Sequence, residues 1–232
     1  RPGMLPLFGK VKPFLFDSLT MVTSIRPAAP PSTSSQQFKD ELAEIYAYSK
    51  SLTRDQLRIV HFWADGVNTF TPPGHWNYIA ATDFVNQRFS EVRWARNFAL
   101  LNMSMMDAAI ACWDAKYTFN LIRPETYIKT YIDPAWQPYL TTPPFPEYSS
   151  GHSTISAASA TILTYCIGDN LLFTDSIESA YGIAPRTFNS FHKAAEEAGI
   201  SRLYGGIHFR TALQNGAKHG EQIALFIIQK TK

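Results

Sequence analysis

The sequence is short of cysteine, of charge and of long apolar runs. Its two cysteines, Cys112 and Cys166, sit in apolar, helix-like stretches without a CxxC spacing. That excludes a disulfide scaffold or a zinc ribbon built from this chain alone, and both read as small core side chains. Charged residues make up only 17%, against a usual figure of about 25%. With 21 Lys+Arg against 19 Asp+Glu the formal charge is +2, which excludes nucleic-acid binding driven by bulk charge. The longest uncharged stretches, 97–106 and 148–168, are broken by Asn or filled with Ser, Thr, Gly and His. Neither resembles a lipid-facing helix of about 20 apolar residues, so no membrane span is expected. Convincing β-alternation and internal repeats are missing as well. What remains is a chain of 232 residues, 45% hydrophobic, that can bury roughly 70% of its unfolded surface in one large domain. Its apolar residues recur with the helical period, so the expected fold class is all-α.

Residues 1–34 are punctuated by Pro2, Pro6, Pro13, Pro27, Pro30 and Pro31, each of which removes a backbone donor and disfavours helix in its predecessor. They read as an extended arm with a solvated linker at 26–35, ahead of a helical domain over 35–232. Helices are expected after Ser34/Ser35, from Thr53, in two long stretches over 75–116 with a break near 89–92, and over 123–130, 150–167, 185–203 and 208–229. A turn is expected over 65–74. The proline-rich segment 133–149 is too long for a casual connector, and loops of that length are commonly functional. The chain begins with Arg1 and reads as processed or as the C-terminal portion of a longer protein. The apolar arm over 4–16 has no obvious partner within it, so a missing N-terminal segment, another polypeptide or a second copy is expected to cover the arm.

Three segments concentrate charge within apolar helices. Lys116 and Arg123 are seven apart, nearly superposed on one face if the helix continues; a solvated basic face is the ordinary reading of such a pair, though the residues between are apolar. Pro143-Pro-Phe145-Pro-Glu-Tyr-Ser-Ser150-Gly151-His152 is a stiff loop entering a helix. Unpaired N–H groups at a helix start make an anion cradle; an ordinary Ser N-cap is the plainer alternative, but it does not need the histidine. In Ser201-Arg202-Leu-Tyr-Gly205-Gly206-Ile-His208 the glycine pair lets one helix end and another begin, so Arg202 and His208 can turn to a shared point. Together these supply three fixed cations, hydroxyl and amide donors and two imidazoles, a site suited to a tetrahedral oxyanion.

Lys-x6-Arg-Pro, then Ser-Gly-His, then Ser-Arg-x5-His resembles the three-part signature shared by the type 2 phosphatidic acid phosphatase superfamily and the vanadium-dependent haloperoxidases. Phe62-Trp63-Ala64-Asp65-Gly66, Thr71-Pro72-Pro73, Trp113 and Pro144-Phe145-Pro146 make the chain more similar to the haloperoxidases of the soluble chloroperoxidase type. The resemblance implies a helical bundle with a longer chain ahead of it. It implies that His208 ligates vanadium while Lys116, Arg123, Ser150, Gly151 and Arg202 hold the vanadate oxygens. His152 is implied as the acid–base residue, Lys116 as the group that polarises bound peroxide, Asp65 as a carboxylate pairing with an Arg or the site histidine, and Phe145 with Trp113 as the wall of a halide pocket. Hydrogen peroxide, a halide and an organic acceptor are the implied partners, and phosphate could occupy the vanadate site. One departure matters. Superfamily members often carry Asp four residues after the final His, where this chain has Ala212. No anionic partner for His208 is therefore expected, its tautomer is left to another group such as a backbone carbonyl, and a phosphohistidine-forming acid phosphatase becomes the less favoured alternative.

Overall fold

The computed structural model describes residues 3–66 and 69–232; Arg1 and Pro2 of the arm, and Val67 and Asn68 of the expected turn, lie outside the described residues. Nine α-helices are described: α1 (Leu19–Ser24), α2 (Gln36–Tyr48), α3 (Arg54–Phe62), α4 (Thr71–Asn86), α5 (Glu91–Phe119), α6 (Pro124–Tyr131), α7 (Gly151–Ile167), α8 (Phe191–Tyr204) and α9 (Arg210–Lys230). Serine or threonine starts most of them. Ser35, Ser90, Ser150 and Ser190 each accept from a backbone N–H one turn on, and Thr53 with Gln56 forms a full capping box, answering donors that otherwise have no partner. α4 begins at Thr71, earlier than expected, because Pro72 and Pro73 fall in a first turn whose N–H groups need no helical partner.

A short antiparallel ribbon of β1 (Phe173–Asp175) and β2 (Arg186–Phe188) interrupts the helical pattern, with Phe173 opposite Phe188 and Asp175 opposite Arg186. At three residues per strand it leaves no readable alternation, and the expected helix from 185 starts only at Phe191. The fold is nonetheless the expected helical bundle.

α7 is its centre, packed against α9, α8, α5 and α4. Its composition explains why: Ala, Ser and Thr allow close approach on every side, and Ser159 and Thr161 return their hydroxyls to carbonyls one turn back. Gly216 and Gly220 of α9 bring the two backbones together, since a Cβ at Gly220 would stand 2.0 Å from the Thr154 carbonyl oxygen. This contact sets the start of α7 directly against α9.

Part of the arm packs within the chain, while Met4, Leu5, Leu7 and Phe14 stay exposed. Gly9 rests on the α5 backbone at Asp114. The Phe14 and Leu15 N–H groups donate to Asp107, at 2.7 and 2.9 Å. Lys10 and Arg26 pair with Asp114, and Phe16 stacks on Phe226 of α9, ring centroids 4.4 Å apart. The signal missed was the pair of acids, Asp107 and Asp114, the charged residues of the otherwise uncharged stretch 98–115 of α5. The arm is not uniformly extended either, carrying a 3₁₀ turn at Phe8–Lys10 and the short helix α1.

Candidate active site

The three charged segments meet at the start of α7. α5 ends with Asn120 in the left-handed conformation, so Lys116 and Arg123 do not share one helical face; Arg123 instead sits at the N-cap of α6. The turn, rather than the period, brings them together. Gly206, also left-handed, ends α8 where a Cβ would press on Pro138 and Trp136, and α9 starts at Arg210. His208 therefore lies in the connection between helices.

The cations are buried and bound almost wholly by backbone. Lys116, fully inaccessible, donates to the carbonyls of Pro146, Glu147 and Ser149 at 3.1, 3.0 and 2.5 Å. Its three donors are thereby spent on the proline-rich loop, which it staples to α5. Arg123 donates from Nε to the Phe145 carbonyl and from Nη1 to that of Ile207, 2.7 Å away. Its Nη2 is buried without a partner. Arg202 reaches the Trp63 carbonyl and Ser201 Oγ. Among the described residues no carboxylate pairs directly with any of the three. Burial pushes Lys116 down to about 8 and both arginines to about 10, so all three stay cationic at neutral pH.

His208 is held at both nitrogens. Nδ1 lies 2.7 Å from Glu147 Oε1, which also accepts from the Phe209 N–H, and Nε2 lies 3.1 Å from Arg123 Nη1. The Nδ1–H donates to Glu147, whose carboxyl burial raises to about 7 against the pull of Arg123 and Lys116, so Nε2 carries the lone pair and accepts from the guanidinium. Burial, then Arg123, Lys116 and Arg202, hold this imidazole well below the usual range and hence neutral. The backbone carbonyl expected to set its tautomer is thus replaced by Glu147, and the anionic partner inferred to be missing at position 212 is supplied by the loop. Ala212 is itself fully buried, its carbonyl accepting from the Ser150 N–H. Because His208 precedes α9, position 212 is not one turn further along the same helix.

Ser150 caps α7 through Ser153, and among the described residues Gly151 is uncrowded, a Cβ there meeting Trp113 at 3.8 Å. His152, partly accessible, faces Asp65, Nε2 to Oδ2 3.3 Å, without hydrogen-bond alignment. Burial and Arg202 depress His152 to about 4 against the opposing pull of Asp65. Asp65, rather than meeting an arginine directly, pairs with His75, whose other nitrogen meets Asp175. Trp113 and Phe145 pack together, centroids 5.0 Å apart, with Lys116 and Arg123 each 5.1 Å from the Phe145 ring. All the residues singled out in the sequence therefore gather around one point or its border. Glu147, His75 and Asp175 were missed. Glu147 alone had a signal, as the acid three residues before Ser150 in the proline-rich loop.

The family model of the VCPO second helical-bundle domain matches residues 96–232, which include every cation and imidazole of the cradle. The chain belongs to the vanadium haloperoxidase family. Vanadium chloroperoxidase of Curvularia inaequalis is 34% identical across an aligned part that takes in 42% of this chain and 20% of that protein. A bacterial vanadium-dependent iodoperoxidase superposes with a TM-score of 0.92 at 39% identity, over 99% of this chain and 58% of that one. A bacterial vanadium-dependent chloroperoxidase in its holo form shares the fold, with a TM-score of 0.76 at 20% identity over 98% of this chain and 55% of that one. The chain thus spans a fifth of the curated relative and somewhat over half of these solved ones. Among the described residues no helix is long and apolar enough to cross a membrane.

Proposed function

We propose that this chain carries the vanadate-binding core of an enzyme that oxidises halide with hydrogen peroxide to hypohalous acid. The observation that carries the reading is the buried, unpartnered Nη2 of Arg123, among three cations that have no direct carboxylate partner within the described residues. A buried donor left unpaired costs about 1–3 kcal/mol, more when charged, and an oxyanion repays it. The residues fit vanadate: Arg123, Arg202, Ser150 and Gly151 would hold its oxygens, with Lys116 completing the charge, and His208 would ligate the metal through the Nε2 lone pair that Glu147 secures. Bound vanadate would supply a Lewis-acidic centre that activates hydrogen peroxide toward halide without changing its own oxidation state.

The chain's own residues do the rest. Lys116 fixes the loop over 146–149, and so the helix start that faces the anion. His152, neutral at working pH, takes up and returns a proton beside the cradle. Trp113 and Phe145 give the entrance an apolar wall backed by positive charge, which favours a weakly hydrated anion. The likeness to the iodoperoxidase supports iodide as the first halide to test, with an organic acceptor for the product.

Glu147 favours a second reading. A carboxylate on Nδ1 raises the basicity of Nε2, so phosphomonoester hydrolysis through a phosphohistidine at His208 fits this pocket better than Ala212 suggests. The test is a pair of assays on the full-length protein: iodide oxidation with added vanadate, and phosphomonoester hydrolysis without it. Vanadate-dependent iodide oxidation that falls in His152→Ala supports the proposal. Hydrolysis alone, indifferent to vanadate except as an inhibitor, overturns it.

A further inference from the structure

One buried cluster takes no direct part in that chemistry. His75, in the first turn of α4 and wholly inaccessible, has Nδ1 2.8 Å from Asp65 Oδ1 and Nε2 2.7 Å from Asp175 Oδ2. A ring facing carboxylates on both sides presents an N–H to each, which makes it an imidazolium. Burial works against that charge, but the two carboxylates outweigh it and raise the ring to about 9. Trp63 lies flat on the ring, centroids 4.5 Å apart, with Phe62 edge-on to it, so the ring is fixed in plane as well as charge.

Both ends of this bridge are anchored. Asp65 has a left-handed backbone at φ 45°, which aims its side chain from the turn after α3. Asp175 closes β1, and its Oδ1 accepts from the Ile177 N–H. The second Asp65 oxygen is the one 3.3 Å from His152. Among the described residues the other charged groups nearby are Glu178 from a second 3₁₀ turn (Ile177–Tyr181), Asp83 on α4 and Arg202 on α8. Asp65, His75 and Glu178 could also be read as ligands for a metal ion. With both ring nitrogens committed to carboxylates, however, His75 has no lone pair to offer one.

We propose that His75 is a positioning residue for His152: held on both nitrogens between Asp65 and Asp175, it balances the Asp65 charge and aims the free oxygen of that carboxylate at the His152 ring. Without the imidazolium, Asp65 would be an uncompensated buried carboxylate free to draw a proton onto His152. The proposal rests on reading His152 as the proton-moving group, but its geometry and its test need no vanadate.

The experiment is ring ¹⁵N NMR of the full-length protein, labelled at histidine and free of vanadate, followed between about pH 5.5 and 10. In the wild type both His75 nitrogens should be protonated at neutral pH, and the His152 signals should inflect where His75 titrates. Asp175→Asn should move that inflection down by about one pH unit or more, because one stabilising carboxylate is gone. His75→Gln should abolish the inflection while phosphate affinity stays within about twofold, as expected for a residue outside the cradle. A neutral His75 at pH 7, a wild-type His152 that never inflects, or an inflection that survives His75→Gln overturns the proposal. If His75→Gln does not fold, the Asp175→Asn shift decides. A protein that fails to bind vanadate yet shows these inflections refutes the proposed function and leaves this inference standing.

Discussion

The cradle and the cluster behind it are equally buried and oppositely built. Around His208, three cations rest on carbonyl oxygens and one guanidinium nitrogen has no partner. Around His75, two carboxylates close on one imidazolium with bonds of 2.7 and 2.8 Å. Charge that is met directly by opposite charge within the protein supports neighbouring structure, whereas charge left without such a partner calls for a ligand from outside. Asp114, answered by Lys10 and Arg26, belongs with the balanced kind, and its work is to hold the arm on α5.

Removing the leftover charge should have the largest effect. Arg123→Met should weaken vanadate and phosphate binding by about 100-fold, roughly the worth of a charge-assisted pair out of water, as read by calorimetry. Equal affinity in the variant would place the anion elsewhere. Glu147→Gln keeps an oxygen for His208 Nδ1 but loses its charge, so vanadate affinity should fall by about tenfold, the scale of a lost supporting carboxylate. An unchanged affinity would mean that Glu147 orients His208 without tuning it.

Changes in the balanced cluster should instead appear as pH-dependent stability. His75 binds its proton more tightly in the fold, at about 9, than a free histidine does at about 6.5. The stability it contributes is complete below about pH 6.5 and lost as pH rises through about 9, a change of roughly 3 kcal/mol. Denaturant titrations across that window should show the loss in the wild type and flatten it in Asp175→Asn, with phosphate affinity unaltered. The smallest effect is expected at Asp114→Asn, about 1 kcal/mol with no pH dependence between 7 and 9, because Lys10 and Arg26 both reach water and can be hydrated when the carboxylate charge is lost.

Much of this was legible in the sequence because the cradle is written in short, contiguous words. Ser150-Gly151-His152 and the Gly205-Gly206 break carry their geometry locally, through a cap and a left-handed turn. The convergence of Lys116 and Arg123 was legible, but its cause was not: a seven-residue spacing suggests a shared helical face, and Asn120 breaks the helix between them. The partner of His208 was sought along the chain at position 212, whereas it arrives from 61 residues earlier, through a loop whose path no periodicity describes. His75 and Asp175 are 100 residues apart and join only because a three-residue strand brings Asp175 against α4. Single polar residues in helices or short strands give no hint of such a meeting.

The measurement that bears most directly on the cradle is a calorimetric titration of vanadate into the full-length protein and its His208→Ala variant. One site per chain is expected in the wild type and loss of binding by more than about 100-fold in the variant, since the lone pair prepared for the metal has gone. Equal vanadate affinity in the two proteins would contradict it.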